Sequence, residues 1–210
     1  MDLIALFGTD QPPRAGVQLT AGNAVVTFEA GQLRHLRVAG TEAIRAVAFL
    51  VRDRDWGTVE PGLSDLHIEG SRVSYDARYT LGTGALLARI VIALTPDGLT
   101  ASVKAHAQGD VETNRAGFTV LHPILGVAGA PLRVTHPQCV EDAHFPTLIE
   151  PWQPFKDISA LTHQAGGWRI DCRFQGDIFE MEDQRQWGDA SFKTYNRPLS
   201  LPWPYQIHDG

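Results

Sequence analysis

Cysteine is scarce. Cys139 and Cys172 are the only two, 33 positions apart in a chain of 210 residues. That spacing excludes a disulfide framework and a C-x-x-C zinc ribbon. Long apolar runs are missing as well: no stretch reaches the roughly 18 residues that a membrane helix needs, so no membrane is an expected partner. The opening Met-Asp-Leu-Ile-Ala-Leu-Phe-Gly is too short for a signal sequence, and no basic residue precedes its apolar part. Positive charge is in deficit, 18 Lys and Arg against 24 Asp and Glu, a net −6 with no basic stripe. Nucleic acid is therefore not an expected partner. Walker A, H-E-x-x-H and G-x-S-x-G sequences are absent, and with them support for a phosphate loop, a zincin or a serine hydrolase. Gly82-Thr83-Gly84 lacks the third glycine of a dinucleotide loop, since Leu87 stands there, and reads as a hairpin turn. These absences lead to the expectation of a soluble cytoplasmic protein.

What is present is a globular composition: 43% hydrophobic and 20% charged residues argue against disorder. The dominant period is two. Val73, Tyr75, Ala77, Tyr79 and Leu81 alternate with Arg72, Ser74, Asp76, Arg78 and Thr80. Successive side chains of a strand point to opposite faces, so this is a half-buried strand. Leu99–Ala107 and Trp168–Phe174 repeat the pattern, whereas Leu86–Leu94 is apolar on both faces and predicts a central strand covered on both sides. Ala30-Gly31, Ala39-Gly40 and Pro96-Asp97-Gly98 punctuate the runs as turns. No long segment holds a helical period. The expected fold is all-β, an antiparallel β-sandwich or barrel with few or no helices.

The character of the chain changes near residue 136. Residues 138–210 hold 11 of the 18 aromatics and six prolines, so loops or edge segments rich in rings are expected there. Such rings form either a carbohydrate-binding face or a cover over the end of the sandwich. His136, Cys139, Glu141 and His144 are close in sequence, but their spacing fits no standard metal site. No cofactor or metal is expected. The richest segment runs from Gly176 to Tyr195, with the carboxylates Asp177, Glu180, Glu182, Asp183 and Asp189, the cations Arg185 and Lys193, and Phe179, Trp187, Phe192 and Tyr195. If Ile178–Asp183 is extended, Glu180 and Glu182 share one face about 7 Å apart, close enough to hold a polyol or to raise one pKa for acid–base work. Trp187 suits stacking on a sugar ring; Arg185 and Lys193 suit a carboxylate or an oxyanion. A salt-bridged surface strand fits the same charges. His122, stopped by Pro123 at the end of an apolar strand, is a candidate base or a structural histidine.

The segment Phe179-Glu-Met-Glu-Asp-Gln-Arg-Gln-Trp-Gly-Asp-Ala-Ser-Phe-Lys-Thr-Tyr195, followed by Pro198-Leu-Ser-Leu-Pro202, resembles the F-E-M-E-D-Q-R-N-W-x-D-A-S-x-K-T-Y…P-L-x-L-P signature of D-apionate lactonase-like proteins. Ile44-Arg45 through Thr58, Gly117–Pro123 and Phe145-Pro146 with Pro151–Phe155 are similar too. Gln186 departs from the pattern, where Asn is expected, but keeps an amide. The resemblance implies a protein longer than 210 residues, with an N-terminal sandwich like that of galactose mutarotase, a following (β/α) barrel, and a sugar-acid lactone as substrate. Residues 1–197 would be the sandwich and 198–210 a proline-rich linker to the barrel in cis.

Lactone hydrolysis needs an activated water, an oxyanion partner and an acid for the leaving alkoxide. On this reading Glu182 or Asp183 is the base, Arg185 or Lys193 the oxyanion partner and His122 a proton shuttle. Glu180, Arg185, Trp187, Asp189, Lys193 and Tyr195 would bind substrate. Two alternatives stand beside it. One is a non-catalytic module that binds sugar or packs on the barrel, which predicts an exposed apolar patch near the C-terminus. The other is a mutarotase-like aldose epimerase.

Overall fold

The computed structural model describes residues 2–11 and 15–210. Among the described residues a single short α-helix, Leu3–Phe7, is capped by Asp2, and its last turn closes on Gly8. The strands follow in order: β1 (Val17–Ala21), β2 (Ala24–Glu29), β3 (Gln32–Val38), β4 (Thr41–Arg52), β5 (Gly62–Glu69), β6 (Arg72–Leu81), β7 (Gly84–Thr95), β8 (Gly98–Gln108) and β9 (Val111–Thr113). After these come β10 (Arg115–Pro123), β11 (Pro131–Thr135), β12 (Val140–His144), β13 (Ala160–Ala165), β14 (Trp168–Arg173), β15 (Glu180–Asp183), β16 (Ser191–Tyr195) and β17 (Tyr205–Ile207). One turn of 3-10 helix, Gln184–Trp187, joins β15 to β16.

Alternation becomes a sandwich because each strand has one apolar face to hide. Seven antiparallel strands form a long sheet in the order β1-β2-β3-β4-β10-β16-β15. Two four-stranded sheets, β5-β6-β7-β8 and β12-β11-β13-β14, pack against the same face of it. Phe49 of the long sheet meets Tyr79 edge-on at 5.8 Å, and Phe28 meets Tyr75 at 5.6 Å. The two tyrosine hydroxyls donate to Phe49 O and Gly31 O, so neither is left unpaired in the core. Farther along, Met181 and Phe192 pack with Leu132, Val134 and Leu161 of the second small sheet. The expected all-β sandwich is therefore the observed one.

The turns follow their residues. Ala30-Gly31 and Ala39-Gly40 both have positive φ at each residue, the conformation of a tight hairpin turn that matches strand twist. Thr95 pairs with Gly98 across the expected turn at Pro96-Asp97. One expectation needs correction. β7 is central in its sheet, but Leu87, Arg89, Val91 and Ala93 are only half-buried, because no layer covers that face. Within residues 198–210, Tyr205–Ile207 pairs with Val111–Thr113, and Gly109 N donates to Asp209 Oδ1 at 2.7 Å.

Candidate functional site on the open face of the long sheet

The segment rich in charge and rings is a hairpin, and strand parity sorts its side chains. β15 and β16 pair with Glu180 opposite Tyr195, Met181 opposite Thr194, Glu182 opposite Lys193 and Asp183 opposite Phe192. Met181, Asp183, Phe192 and Thr194 turn inward. Glu180, Glu182, Lys193 and Tyr195 share the face that carries no second sheet. β10 and β4 continue that face with Arg115 opposite Arg52.

On the open face the polar groups are tightly matched. Lys193 Nζ lies 2.5 Å from Glu182 Oε2, and Trp187 Nε1 donates to Glu182 Oε1 at 3.0 Å. Burial raises the Glu182 pKa, but the Lys193 hydrogen bond and charge outweigh it and leave the carboxyl below its usual range. Burial lowers the Lys193 pKa, against the pull of the same partner. Glu180 accepts from the Tyr195 hydroxyl at 2.7 Å and from Leu199 N at 2.8 Å. Burial first, then Glu180, pushes the Tyr195 hydroxyl well above its ordinary pKa. Arg115 stacks on the Tyr195 ring at 3.8 Å and lies 5.4 Å from the Trp56 ring. Trp203 meets Trp56 edge-on at 5.2 Å. The face thus has a charged floor, with Trp187 at one end and Trp56 and Trp203 at the other.

His122, Asp183 and Arg185 lie elsewhere, and each has a structural task. His122 is fully buried, with Nε2 at 2.9 Å from Thr194 Oγ1 and its ring against Phe145 and His163. Burial, helped by His163, pushes its pKa down to about 3. No solvent reaches it, so it cannot carry protons to a substrate on the opposite face. Asp183 is also fully buried. It caps the 3-10 turn through Arg185 N and accepts from Glu150 N at 3.0 Å. Burial raises its pKa, and the Arg185 and backbone donors more than offset that. Arg185 is bidentate to Asp183 and also donates to the carbonyls of Pro146, Thr147 and Leu148. The pair therefore clamps the loop 146–150 to the sheet instead of facing a ligand. Asp189 accepts from Ser191 Oγ and shapes the turn after Trp187. Of the nine predicted site residues, Glu180, Glu182, Trp187, Lys193 and Tyr195 come together.

Arg115, Arg52, Trp56 and Trp203 belong to the same face, and none of them is among the predicted site residues. The available signal was parity: Arg115, Gly117 and Thr119 form a polar or small row on a strand whose other row is Ala116, Phe118, Val120 and His122. The loop His136–His144 gathers no metal set. His136 Nε2 lies 3.4 Å from Glu141, while His144 pairs with Pro131 at the far end of the hairpin. Two clefts are formed by other residues. One, of about 480 Å³, lies on the outer face of the β5–β8 sheet, and the other, of about 410 Å³, lies beside Trp168.

The family model described as "D-apionate lactonase, N-terminal domain" matches residues 4–210. The chain belongs to the D-apionate lactonase N-terminal domain family. It is 47% identical, over 215 aligned positions, to a D-apionate lactonase of Brucella anthropi. That alignment covers 99% of this chain and 35% of the relative, so the chain spans about a third of the relative's length. No solved structure matches significantly. No helix among the described residues is long and apolar enough to cross a membrane.

Proposed function

We propose that this domain serves a cytoplasmic enzyme that hydrolyses the lactone of a sugar acid, of the D-apionate lactonase type. In the proposed arrangement its open face forms one wall of the substrate site. The observation that carries this reading is the Glu182–Lys193 pair with Trp187 above it, half-buried on a face without a second layer and built from the family signature. A carboxylate held ionised accepts hydroxyl hydrogen bonds from a polyol. A desolvated ammonium favours charge developing on a carbonyl oxygen, and an indole stacks on the apolar face of a sugar ring. The face is a platform, so the second wall and the group that activates water come from a further domain in cis, a (β/α) barrel on the family resemblance. His122 and Asp183 have no part in the chemistry.

A second reading is favoured by one observation. Trp187 is 72% exposed, and in the C-terminal segment Trp203 is 51% and Leu201 41% exposed. Exposed rings of this size on one face suit packing against a further domain, and the platform then has a purely structural role. Lactone hydrolysis by the protein expressed from its full reading frame separates the two. Glu182→Gln and Lys193→Met are expected to lower kcat/KM tenfold or more with folding intact. Unchanged kcat/KM in both leaves only the packing role.

A further inference from the structure

β7 is apolar on both of its faces, yet no layer covers its outer row. A cleft of about 480 Å³ lies on that row, on the outer face of the β5–β8 sheet. Strand register sets the geometry of the cleft. Arg78, Leu87 and His106 stand side by side on β6, β7 and β8, and Asp76, Arg89 and Lys104 form the next row. Neighbours within a row have Cβ atoms about 5 Å apart, and the two rows are about 7 Å apart. Leu87 is therefore a half-buried apolar spot with charged or polar side chains on its flanks. Ser64 of β5 pairs with Asp76 and closes the cleft on that side.

The charges in these rows are mismatched for folding. Arg89 and Lys104 are directly opposite each other, and like charges in that relation destabilise a sheet. Arg89 turns to the other side, where it lies 3.2 Å from Asp76 and donates to Ser74 Oγ at 3.1 Å. Among the described residues that line the cleft this is the one ion pair, and Lys104 has none. Arg78 donates to the neutral Gln108 Oε1 at 2.6 Å. Arg78, Arg89 and Lys104 thus face a single carboxylate, Asp76, which leaves two positive charges in excess in a chain whose net charge is −6. The groups are open to contact: Arg78, Lys104 and His106 are exposed, and the Arg89 side chain is 40% exposed. A cleft lined by one sign of charge concentrates ions of the other sign.

We propose that this cleft binds a phosphorylated polyol, in its simplest form a sugar phosphate. A phosphate monoester carries about −1.5 to −2 charge at neutral pH, which matches the excess, whereas a carboxylate supplies only one negative charge. Its oxygens bridge the Arg89 and Lys104 heads and relieve their repulsion. The apolar face of the carbon skeleton rests on Leu87. Hydroxyls of the polyol donate to Asp76 and exchange hydrogen bonds with Ser64, which explains why one acid is kept among the cations. The cleft lies on a different sheet from the Glu182–Lys193 pair, and the proposal does not rest on the lactonase reading.

The test is calorimetric titration with D-glucose 6-phosphate, at constant ionic strength, of the 210-residue chain and of the protein expressed from its full reading frame. D-Glucose, sodium D-gluconate and inorganic phosphate are the comparison ligands. Saturable binding of glucose 6-phosphate by both proteins is expected, tenfold or more tighter than gluconate or inorganic phosphate and absent for glucose. Lys104→Glu separates the site from the fold. It sets opposite charges across from each other, so the thermal midpoint is expected to hold or to rise by roughly 1–3 °C, while glucose 6-phosphate binding weakens tenfold or more. Lys104→Met is expected to weaken binding as well, by a smaller factor. No saturable binding, gluconate or inorganic phosphate binding as tightly as glucose 6-phosphate, binding unchanged in Lys104→Glu, or a Lys104→Glu chain that melts below the parent would each overturn the proposal. So would binding by the 210-residue chain that is lost in the longer protein, because a further domain then covers this face.

Discussion

The two faces of the long sheet are made from the same few strands and could hardly differ more. On β16, Phe192 and Thr194 point inward and Lys193 and Tyr195 outward, each a single residue from its opposite. Inward, every strong group is neutral or closed: Phe192 stacks near Phe145 at 5.0 Å, His122 is kept uncharged, and Asp183 is locked to Arg185. Outward, charge and aromatic rings are concentrated around the Glu182–Lys193 pair. The inner face thus specifies the fold, and the outer face holds the polar groups of the candidate site. A one-residue slip of register would exchange the two sets, so the hairpin signature sets the fold and the site together.

The sharpest way to break the inner face is Phe192→Ala. Phe192 is fully buried between the second small sheet and the Arg185 clamp, with the guanidinium 5.0 Å from its ring. Truncation leaves a cavity and is expected to cost about 3–5 kcal/mol, read as a fall in the urea midpoint without a change in slope.

A smaller effect distinguishes the faces by pH. His122 has a folded pKa of about 3 against an unfolded value near 6.5. The unfolded chain therefore binds the proton first. Stability from the neutral, buried ring is fully present above pH 6.5 and is lost as pH falls toward 3. His163, also held low by burial, adds in the same direction. The loss is on the order of a few kcal/mol. Urea midpoints measured from pH 7.5 to 4 are expected to fall, and His122→Phe is expected to flatten that slope. An equal slope in the variant would show that the charge of the outer face, not the buried imidazole, governs acid stability.

The sequence was most legible where period and composition agreed. β6, β8 and β14 follow from strict alternation, and the tight turns from Ala-Gly and Asp-Gly pairs. Alternation within Ile178–Asp183 also placed Glu180 and Glu182 together correctly. It gives no guide where the chain changes conformation. Asp183 ends the strand by capping a 3-10 turn, so residues 184–187 leave the alternating pattern and Arg185 swings to the loop carbonyls. Nothing local in the sequence shows that a guanidinium will serve three carbonyls nearly forty residues away. For His122 the choice between base and structural histidine stays open in the sequence, because a strand-end histidine reads alike whether a second sheet covers it or not; its full burial is seen only in the fold. Arg115 was missed because its neighbours on the face come from strands distant in sequence, so its stacking on Tyr195 and Trp56 is visible only in three dimensions.

The smallest expected effect lies on the outer rim. Trp187→Ala removes an indole that is 72% exposed, and its one hydrogen bond, to Glu182, is backed by Lys193. The stability of the 210-residue chain is expected to change by no more than about 0.5 kcal/mol, against several for Phe192 only five residues on. That near-neutrality is itself informative. On the proposed reading, an aromatic ring that contributes almost nothing to its own domain, yet is presented by a capped 3-10 turn, serves a sugar ring or a further domain. If Trp187→Ala were to destabilise this chain by 2 kcal/mol or more (an order-of-magnitude threshold typical of buried aromatics), the rim would belong to the core of this domain. The contrast between the two faces would then be one of charge alone.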